Sequence, residues 1–325
     1  MSQIPNLNIR KFIIWILLGL IFITSLCYRG DYFSKDYASQ KTNDSIYFEE
    51  GLEYQPDLGD QFQYDLDELP QETTEDHVIE KDDDPLLQLI YQDKPLVAIV
   101  MDDLGYNLNQ IKSVLKLDIP ITLSILPFLP YTKLATKMGQ SSGQDILLHI
   151  PLEAEALNFK LGAGAIFTNM DRETIVKALD DALDDLSGVD DFSNVVGVNN
   201  HMGSLFTADS AKMEILLRHI KKRGLFFLDS KTTSASKSML IAKQINLNVV
   251  ERDIFLDNNQ DVVKIKNNIR LLIKRAKSKG SAIGIAHPYP ETIIAIAESI
   301  PLFESEDVIL VKISDLFLKP YDQLK

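Results

Sequence analysis

Short uninterrupted runs of apolar residues recur from Pro95 to near the C-terminus, and each is followed by a segment of helical periodicity. Continuous Val, Ile and Leu without polar alternation are typical of strands that are covered on both faces. The predicted strands span residues 96–101, 121–126, 145–150, 195–199, 225–229, 248–256, 282–287 and 308–313. The predicted helices span residues 107–117, 131–142, 171–187, 209–223, 235–245, 260–279 and 290–299. This alternation predicts a largely parallel sheet.

The number of strand–helix units limits the architectures that the domain can adopt. The pattern predicts an α/β domain over residues 93–325, with a (β/α) barrel-like arrangement of 7–8 mostly parallel strands. A doubly wound open sheet is the second choice. In either architecture the carboxyl ends of the strands share one rim, and binding and catalytic groups collect at that rim.

The N-terminal residues follow a different pattern. Residues 12–28 form an apolar run of 17, preceded by Arg10 and Lys11. That length is at the short end of the roughly 17–25 residues that a membrane-spanning helix needs. A cleaved signal peptide is the alternative, but its apolar core usually has about 7–15 residues, and no A-x-A-like site follows here. We expect a single-pass anchor (residues 1–30) in the inner membrane of a Gram-negative cell, with the C-terminal domain in the periplasm.

The formal net charge of −14 is concentrated in one segment of the chain. Residues 31–84 hold 18 Asp and Glu against three Lys, and residues 31–92 show no sustained hydrophobic period. Such a segment cannot bury enough apolar surface to fold, so a disordered acidic linker is predicted at 31–92. The domain that follows is nearly neutral, and without a basic face nucleic acid is not an expected partner. The single Cys27 excludes an intramolecular disulfide.

Polar side chains gather where the predicted strands end. Three of the five histidines, His149, His201 and His287, lie at such positions. The acidic, amide and hydroxyl residues at strand ends are Asp102, Asp103, Glu153, Asn199, Asn200, Ser204, Asp229, Ser230 and Asp257. Each alone has a structural explanation as a helix cap, a turn residue or a buried core group. Separate structural duties do not explain why so many share one rim, which favours a functional site.

A divalent metal would give these side chains a common purpose. Zinc binds carboxylates and imidazoles, and a catalytic zinc site uses three protein ligands with an open position for water. One acid of the Asp102–Asp103 pair could join His149 and His201 as ligands. The metal would acidify a bound water and polarise a carbonyl. The other acid of the pair could then act as general base and His287 as general acid.

Seven segments resemble, in the same order, the motifs of the divergent polysaccharide deacetylase family. They are AIVMDDLGYN, ITLSILPFLP, ILLHIPLEA, GVNNHMGSLFTAD, GLFFLDSKTT, RDIFLDN and AIGIAHPYPETI, and they extend over nearly all of residues 94–318. The resemblance implies a (β/α)-barrel-like fold related to the nodulation-type polysaccharide deacetylases. By position in the motifs, it implies that Asp102 is the base, that Asp103 binds the metal and that His287 is the acid.

The sequence departs from that larger superfamily at one metal ligand. The superfamily places two metal-binding histidines four residues apart, whereas here His149 is followed four residues on by Glu153. We therefore expect His201 to supply the second imidazole, and Glu153 to be a fourth ligand or to orient His149. The other residues expected to contact substrate or support the ligands are Asn200, Ser204, Asp229, Ser230 and Asp257.

Together, these features predict a metal-dependent hydrolase, with zinc as the expected ion, that removes acetyl groups from an envelope polysaccharide. An outward-facing domain on a long tether suits a polymeric substrate. The alternative from another class is a catalytically silent envelope protein that uses the same pocket for glycan binding or scaffolding. A phosphoesterase on the same fold is a third candidate, which the absence of a Gly-rich phosphate loop at these motifs disfavours.

Overall fold

Strands and helices alternate along the described part of the computed structural model, which comprises residues 94–156, 161–187 and 195–318. The strands are β1 Leu96–Leu104, β2 Thr122–Ile125, β3 Ile146–Leu152, β4 Val195–Met202, β5 Phe226–Asp229, β6 Val249–Glu251, β7 Ile254–Phe255, β8 Ser281–Ala286 and β9 Ile309–Val311. The helices are α1 Leu108–Leu115, α2 Thr132–Ser141, α3 Arg172–Ser187, α4 Ser210–Lys222, α5 Ser238–Ile245, α6 Val262–Lys279 and α7 Pro290–Ser305, and a 3-10 helix covers Ile313–Leu318. No helix within these ranges is long and apolar enough to cross a bilayer. The predicted anchor at 1–30 and the predicted acidic linker at 31–92 lie outside the described residues.

The strands form one parallel sheet in the order β6-β5-β4-β3-β2-β1-β8-β7. The short β9 pairs with the first residues of β1, and β2 pairs with the later residues of the same strand. The sheet is a parallel half-barrel with helices, so the prediction of a (β/α) barrel-like fold is confirmed. Because all recorded strand pairs are parallel, the carboxyl ends of the strands lie on one rim.

Alternate residues of each strand pack into two separate apolar clusters. The odd-numbered residues of β1 from Val97 to Met101 join the buried residues of the helices, whereas the even-numbered residues join a second, inner cluster. The inner cluster consists of Leu96, Ala98, Val100, Leu147, Phe226, Leu228, Ile283, Ile285, Val311, Ile313 and Leu316. Its last two members belong to the 3-10 helix, and Ile313 N donates to Thr122 Oγ1 at the start of β2. The 3-10 helix therefore closes the amino end of the barrel, opposite the carboxyl rim.

Two predicted boundaries differ from the structure. The strand predicted at 248–256 is two short strands, because Arg252 N donates to Asp229 O while the next residue, Asp253, donates its N–H to Ile283 O. The chain thus crosses at this point from the β5 side of the sheet to the β8 side. The helix predicted to end at 299 continues through Pro301 to Ser305. Proline is unfavourable inside a helix, but burial of Phe303 holds the last turn against the core.

Because the inner cluster is buried, Leu→Ala substitutions inside and outside it should differ clearly in their effect on the free energy of unfolding. Leu147 is fully buried inside the barrel, whereas Leu271 on α6 is 46% exposed. We expect Leu147→Ala to lower the free energy of unfolding by about 2–5 kcal/mol, because it leaves a cavity that strand residues cannot refill. The control Leu271→Ala should change it by less than about 0.5 kcal/mol. Urea unfolding of the purified chain, followed by circular dichroism, measures both, and equal shifts would contradict the inner packing.

Candidate metal centre

The two adjacent acids at the end of β1 both point toward the carboxyl rim, but their backbone conformations differ. Asp102 continues the even-numbered, inward-facing series of β1 and is buried. Simple alternation would direct Asp103 to the opposite face. Instead, Asp103 has a φ of 59°, in the left-handed region that few residues other than glycine adopt. This backbone turn brings its carboxylate to the histidines of β3 and β4.

Asp103, His149 and His201 bring three potential metal-binding atoms together. Asp103 Oδ1 lies 2.9 Å from His201 Nδ1 and 3.1 Å from His149 Nε2. The two ring nitrogens are 3.2 Å apart. In a tetrahedral zinc site with bonds of 2.0–2.2 Å, ligand atoms are separated by about 3.3–3.6 Å. The three atoms therefore need to move apart by only a few tenths of an ångström to surround such an ion.

The hydrogen bonding of Asp103 supports this interpretation. Within the described residues, its Oδ1 is a buried oxygen that accepts no hydrogen bond, although two ring nitrogens lie close to it. Neither nitrogen makes a hydrogen bond of good geometry to this oxygen, although the two ring nitrogens lie within hydrogen-bonding distance of each other. A buried oxygen without a partner is costly, and a metal ion would satisfy it. The donor set of one carboxylate and two imidazoles fits a divalent metal.

The electrostatics of the centre favour a bound cation. Burial opposes the charged form of Asp103, but contacts with His149 and His201 hold its pKa well below the usual value. Burial also opposes the charged form of His149, yet the neighbouring charges of Asp102 and Asp103 raise its pKa overall. Negative charge therefore predominates around the three ligand atoms, and it stabilises positive charge placed among them.

Asn199 bonds to both sides of the centre. Its side chain is fully buried in β4, and its Nδ2 donates to Asp102 Oδ1 at 2.8 Å. Its Oδ1 lies 2.9 Å from His149 Nδ1 and accepts a hydrogen bond of 2.7 Å from Ser124 Oγ. One amide thus holds the nitrogen of His149 that faces away from Asp103, and it also holds the adjacent carboxylate of Asp102.

His287 approaches the same centre from β8. Its Nε2 lies 3.8 Å from Asp103 Oδ2, and its Nδ1 lies 3.0 Å from Asp257 Oδ1. Asp257 is buried and also accepts hydrogen bonds from His287 N and from Thr292 Oγ1. Burial opposes the protonated imidazole, but the hydrogen bond to Asp257 and the charges of Asp103, Asp257 and Asp102 raise the pKa of His287 to about 9. These contacts favour the protonated imidazole.

Glu153 occupies a different place from the one predicted. Its Oε2 accepts hydrogen bonds from Thr168 N and Thr168 Oγ1, and its backbone oxygen accepts from Leu205 and Phe206. Glu153 therefore secures the loops beyond β3 and β4, and the group that bonds His149 Nδ1 is Asn199. The expectation that Glu153 ligates the metal or orients His149 is wrong for this structure.

The remaining predicted residues support the rim. Asn200 faces away from the ligands, where its Oδ1 accepts from Ser230 N and its Nδ2 donates to Met202 O. Asp229 accepts hydrogen bonds from Lys231 N and from the hydroxyls of Ser236 and Ser238. Ser204 Oγ accepts from Glu155 N. Ser230 Oγ is buried and has no hydrogen-bond partner within the described residues. These contacts connect and brace the loops around the centre.

Several residues near the centre were not predicted from the sequence. Asn199 was noted at a strand end but given no role at the centre, although a position two residues before His201 on a strand must share its face. Arg252 donates to the backbone oxygens of Ser230 and Lys231, and its guanidinium lies 3.7 Å from the centroid of the Phe255 ring. The apolar run around Arg252 gave no indication that its side chain makes these contacts.

Two tyrosines also lie close to the ligands. Burial, with a contribution from the charge of Asp103, raises the pKa of Tyr106 and of Tyr289. The ring of Tyr289 packs at 5.6 Å from that of His287. Tyr106 is 47% exposed and follows Asp103 in the loop after β1. Aromatic side chains therefore border the solvent side of the centre.

Comparison with known families identifies the chain. The model of the family described as divergent polysaccharide deacetylase matches residues 99–317. The chain belongs to this family. The match contains all three potential ligands as well as Asp102, Asn199, Asp257 and His287.

Relatives support the family assignment. The chain is 31% identical over 221 residues to an uncharacterized protein of Haemophilus influenzae, covering 68% of this chain and 76% of the relative. It is 30% identical over 224 residues to the uncharacterized protein YibQ of Escherichia coli, covering 69% of this chain and 68% of the relative. The crystal structure of the uncharacterized protein ATU2773 from Agrobacterium tumefaciens C58 is similar, with a TM-score of 0.63 and 26% identity over 71% of this chain and 94% of that one.

The ligand geometry predicts metal binding that depends on both strand-end histidines. We expect about one equivalent of a divalent metal per purified chain, and its loss from His149→Ala and from His201→Ala. His219→Ala is the matched control, because His219 pairs with Asp180 between two helices, 2.7 Å from Nε2 to Oδ1. Elemental analysis after dialysis measures the content. Absence of metal from the parent even after reconstitution, or retention by both variants, would refute the site.

Proposed function

We propose that this divergent polysaccharide deacetylase is a metal-dependent hydrolase that removes acetyl groups from an envelope polysaccharide. The observation that carries the proposal is the position of two potential proton-transfer groups beside one potential metal centre. Asp102 Oδ2 lies 3.7 Å from the ligand nitrogen of His149, and His287 Nε2 lies 3.8 Å from the ligand carboxylate of Asp103. Hydrolysis of an acetyl group needs one group to accept a proton from water and one to donate a proton to the leaving atom.

Asp103, His149 and His201 would hold the metal, and we propose zinc because two imidazoles and one carboxylate suit its ligand preference. When bound, such an ion polarises the acyl carbonyl and lowers the pKa of water. Glu153 is not part of this ligand set, because its carboxylate bonds to Thr168.

Asp102 is the proposed general base. Its Oδ1 accepts the hydrogen bond from Asn199, and its other oxygen, Oδ2, is turned toward the ligand nitrogen of His149. A carboxylate fixed by one oxygen keeps the second in a constant position, which is the requirement for efficient proton transfer. Asp102 would accept a proton from the attacking water while the water oxygen bonds to the acyl carbon.

His287 is the proposed general acid. Its Nδ1 is hydrogen-bonded to Asp257, which leaves Nε2 directed at the centre. The hydrogen bond to Asp257 favours the protonated imidazole, in which Nε2 carries the second proton. His287 would donate this proton to the leaving nitrogen or oxygen of the sugar as the acyl bond breaks, and acetate and the free amine or hydroxyl would result.

The substrate and the location are also part of the proposal. A polysaccharide substrate is supported by the family to which the chain belongs. The apolar residues 12–28 lie outside the described residues, and their sequence supports an anchor in the inner membrane with the catalytic domain in the periplasm. An envelope polysaccharide would then be within reach of the domain.

The decisive experiment is acetate release from N- and O-acetylated glycan oligomers by the metal-loaded chain. We expect Asp102→Asn and His287→Gln each to lower kcat by about 100- to 10,000-fold, because each removes one proton-transfer group. Asp181→Asn, on the exposed side of α3, is the carboxylate control and should leave kcat unchanged. If the parent binds metal and glycan but releases no acetate, the catalytically silent binding protein is the correct interpretation.

A further inference from the structure

The amide of Asn199 contacts both the proposed base and a proposed metal ligand. Its Nδ2 donates a hydrogen bond of 2.8 Å to Asp102 Oδ1, and its Oδ1 lies 2.9 Å from His149 Nδ1. β4 places it there directly, because Asn199 is the parallel-register partner of His149 on β3. Asn199 is also fully buried, so its polar atoms depend on these internal partners.

The chemistry of the neighbours fixes the orientation of this amide. An ionised carboxylate only accepts hydrogen bonds, so Asp102 must face the NH₂ group of Asn199. The amide oxygen therefore faces His149 and Ser124, and an amide oxygen also only accepts. It follows that His149 Nδ1 carries a proton and that Ser124 donates its hydroxyl hydrogen. In a neutral imidazole the lone pair is then on Nε2, the atom that faces Asp103 and His201.

We propose that Asn199 is a positioning residue that sets two properties of the centre at once. Through its oxygen it holds His149 with Nδ1 protonated, so that Nε2 presents its lone pair to the metal. Through its nitrogen it fixes the carboxylate of Asp102 beside that metal. The inference rests on the proposed function for the role of Asp102, but the effect on His149 concerns metal binding alone.

Neither an aspartate nor a leucine at position 199 satisfies both neighbours. An aspartate would still accept from His149 Nδ1, but it would set a second carboxylate against Asp102. Two buried carboxylates at this distance share a proton, which makes Asp102 a poorer and differently oriented base. A leucine of similar size would satisfy neither neighbour and would leave both polar groups without a partner.

This difference separates the two roles of Asn199 experimentally. We expect Asn199→Leu to weaken zinc binding by about 10- to 100-fold, as is typical when the partner that orients a metal-binding histidine is removed. Asn199→Asp keeps an acceptor at His149, so its zinc affinity should stay within about threefold of the parent or become tighter. Its acetate release should nevertheless fall by about 100-fold or more, because Asp102 loses its donor.

The measurement is competition between the full-length chain and a chelator of known zinc affinity, with acetate release measured on the same samples. Asn200→Leu is the matched control, since Asn200 is the adjacent buried amide and bonds Ser230 and Met202 rather than the centre. Its zinc affinity should stay close to that of the parent. Circular dichroism establishes that each variant is folded.

The outcomes distinguish this inference from the proposed function. A parent that binds zinc but releases no acetate removes the hydrolase proposal, and the zinc affinities of the Asn199 variants still decide the role at His149. A parent active in both assays, with Asn199→Leu binding zinc as tightly as the parent, overturns the inference alone. Equal loss of zinc in Asn199→Asp and Asn199→Leu also overturns it, because a merely structural residue would give that result.

Discussion

The balance between carboxylates and imidazoles at the carboxyl rim is the constraint on which the rest of the centre depends. Asp102, Asp103 and Asp257 bring three acids to one end of the barrel, and two of them are almost completely buried. Buried charges are tolerated only when they are paired and hydrogen-bonded. His149 and His287 supply that pairing, and the neighbouring acids raise the pKa of both imidazoles. A cation bound among the ligand atoms would provide the same compensation for Asp103, which explains why the barrel can keep so much negative charge in one place.

Strand alternation shows how much of this centre is predictable from the sequence. The strands, the helices and the parallel sheet follow from the apolar runs, and the inward series of β1 leads directly to Asp102. By the same alternation along β4, Asn199 and His201 lie on one face of the sheet and Asn200 lies on the other. Asn200 was predicted at the site and Asn199 was given no role there, although alternation from His201 puts Asn199 on the same face as that histidine. Asp103 is different, because its position depends on a left-handed backbone that no residue pattern in the strand encodes.

Glu153 shows where a resemblance misleads. Spacing by four residues suggested that it replaces a histidine on the same face as His149. Side chains four residues apart share a face only while the strand continues, and β3 ends at Leu152, which bridges to Ile166. Beyond that point the chain follows the loop, and the carboxylate of Glu153 turns to Thr168. The break in the predicted strand at 248–256 has a similar cause. Arg252 and Asp253 bond to strands on opposite sides, and the hydrophobic pattern does not indicate where the chain crosses between them.

Supplying the second imidazole from β4 changes what holds the ligands in place. The three potential ligand atoms come from β1, β3 and β4, so the separation of the two histidines depends on the register between β3 and β4. In that register His149 is opposite Asn199, and His201 is opposite Pro151, two positions further along. A shift by one residue would turn His201 and Asn199 to the outer face together. The hydrogen bonds from Asn199 to Asp102 and His149 oppose such a shift, so the residue that orients the ligands also helps to fix the register that brings them together.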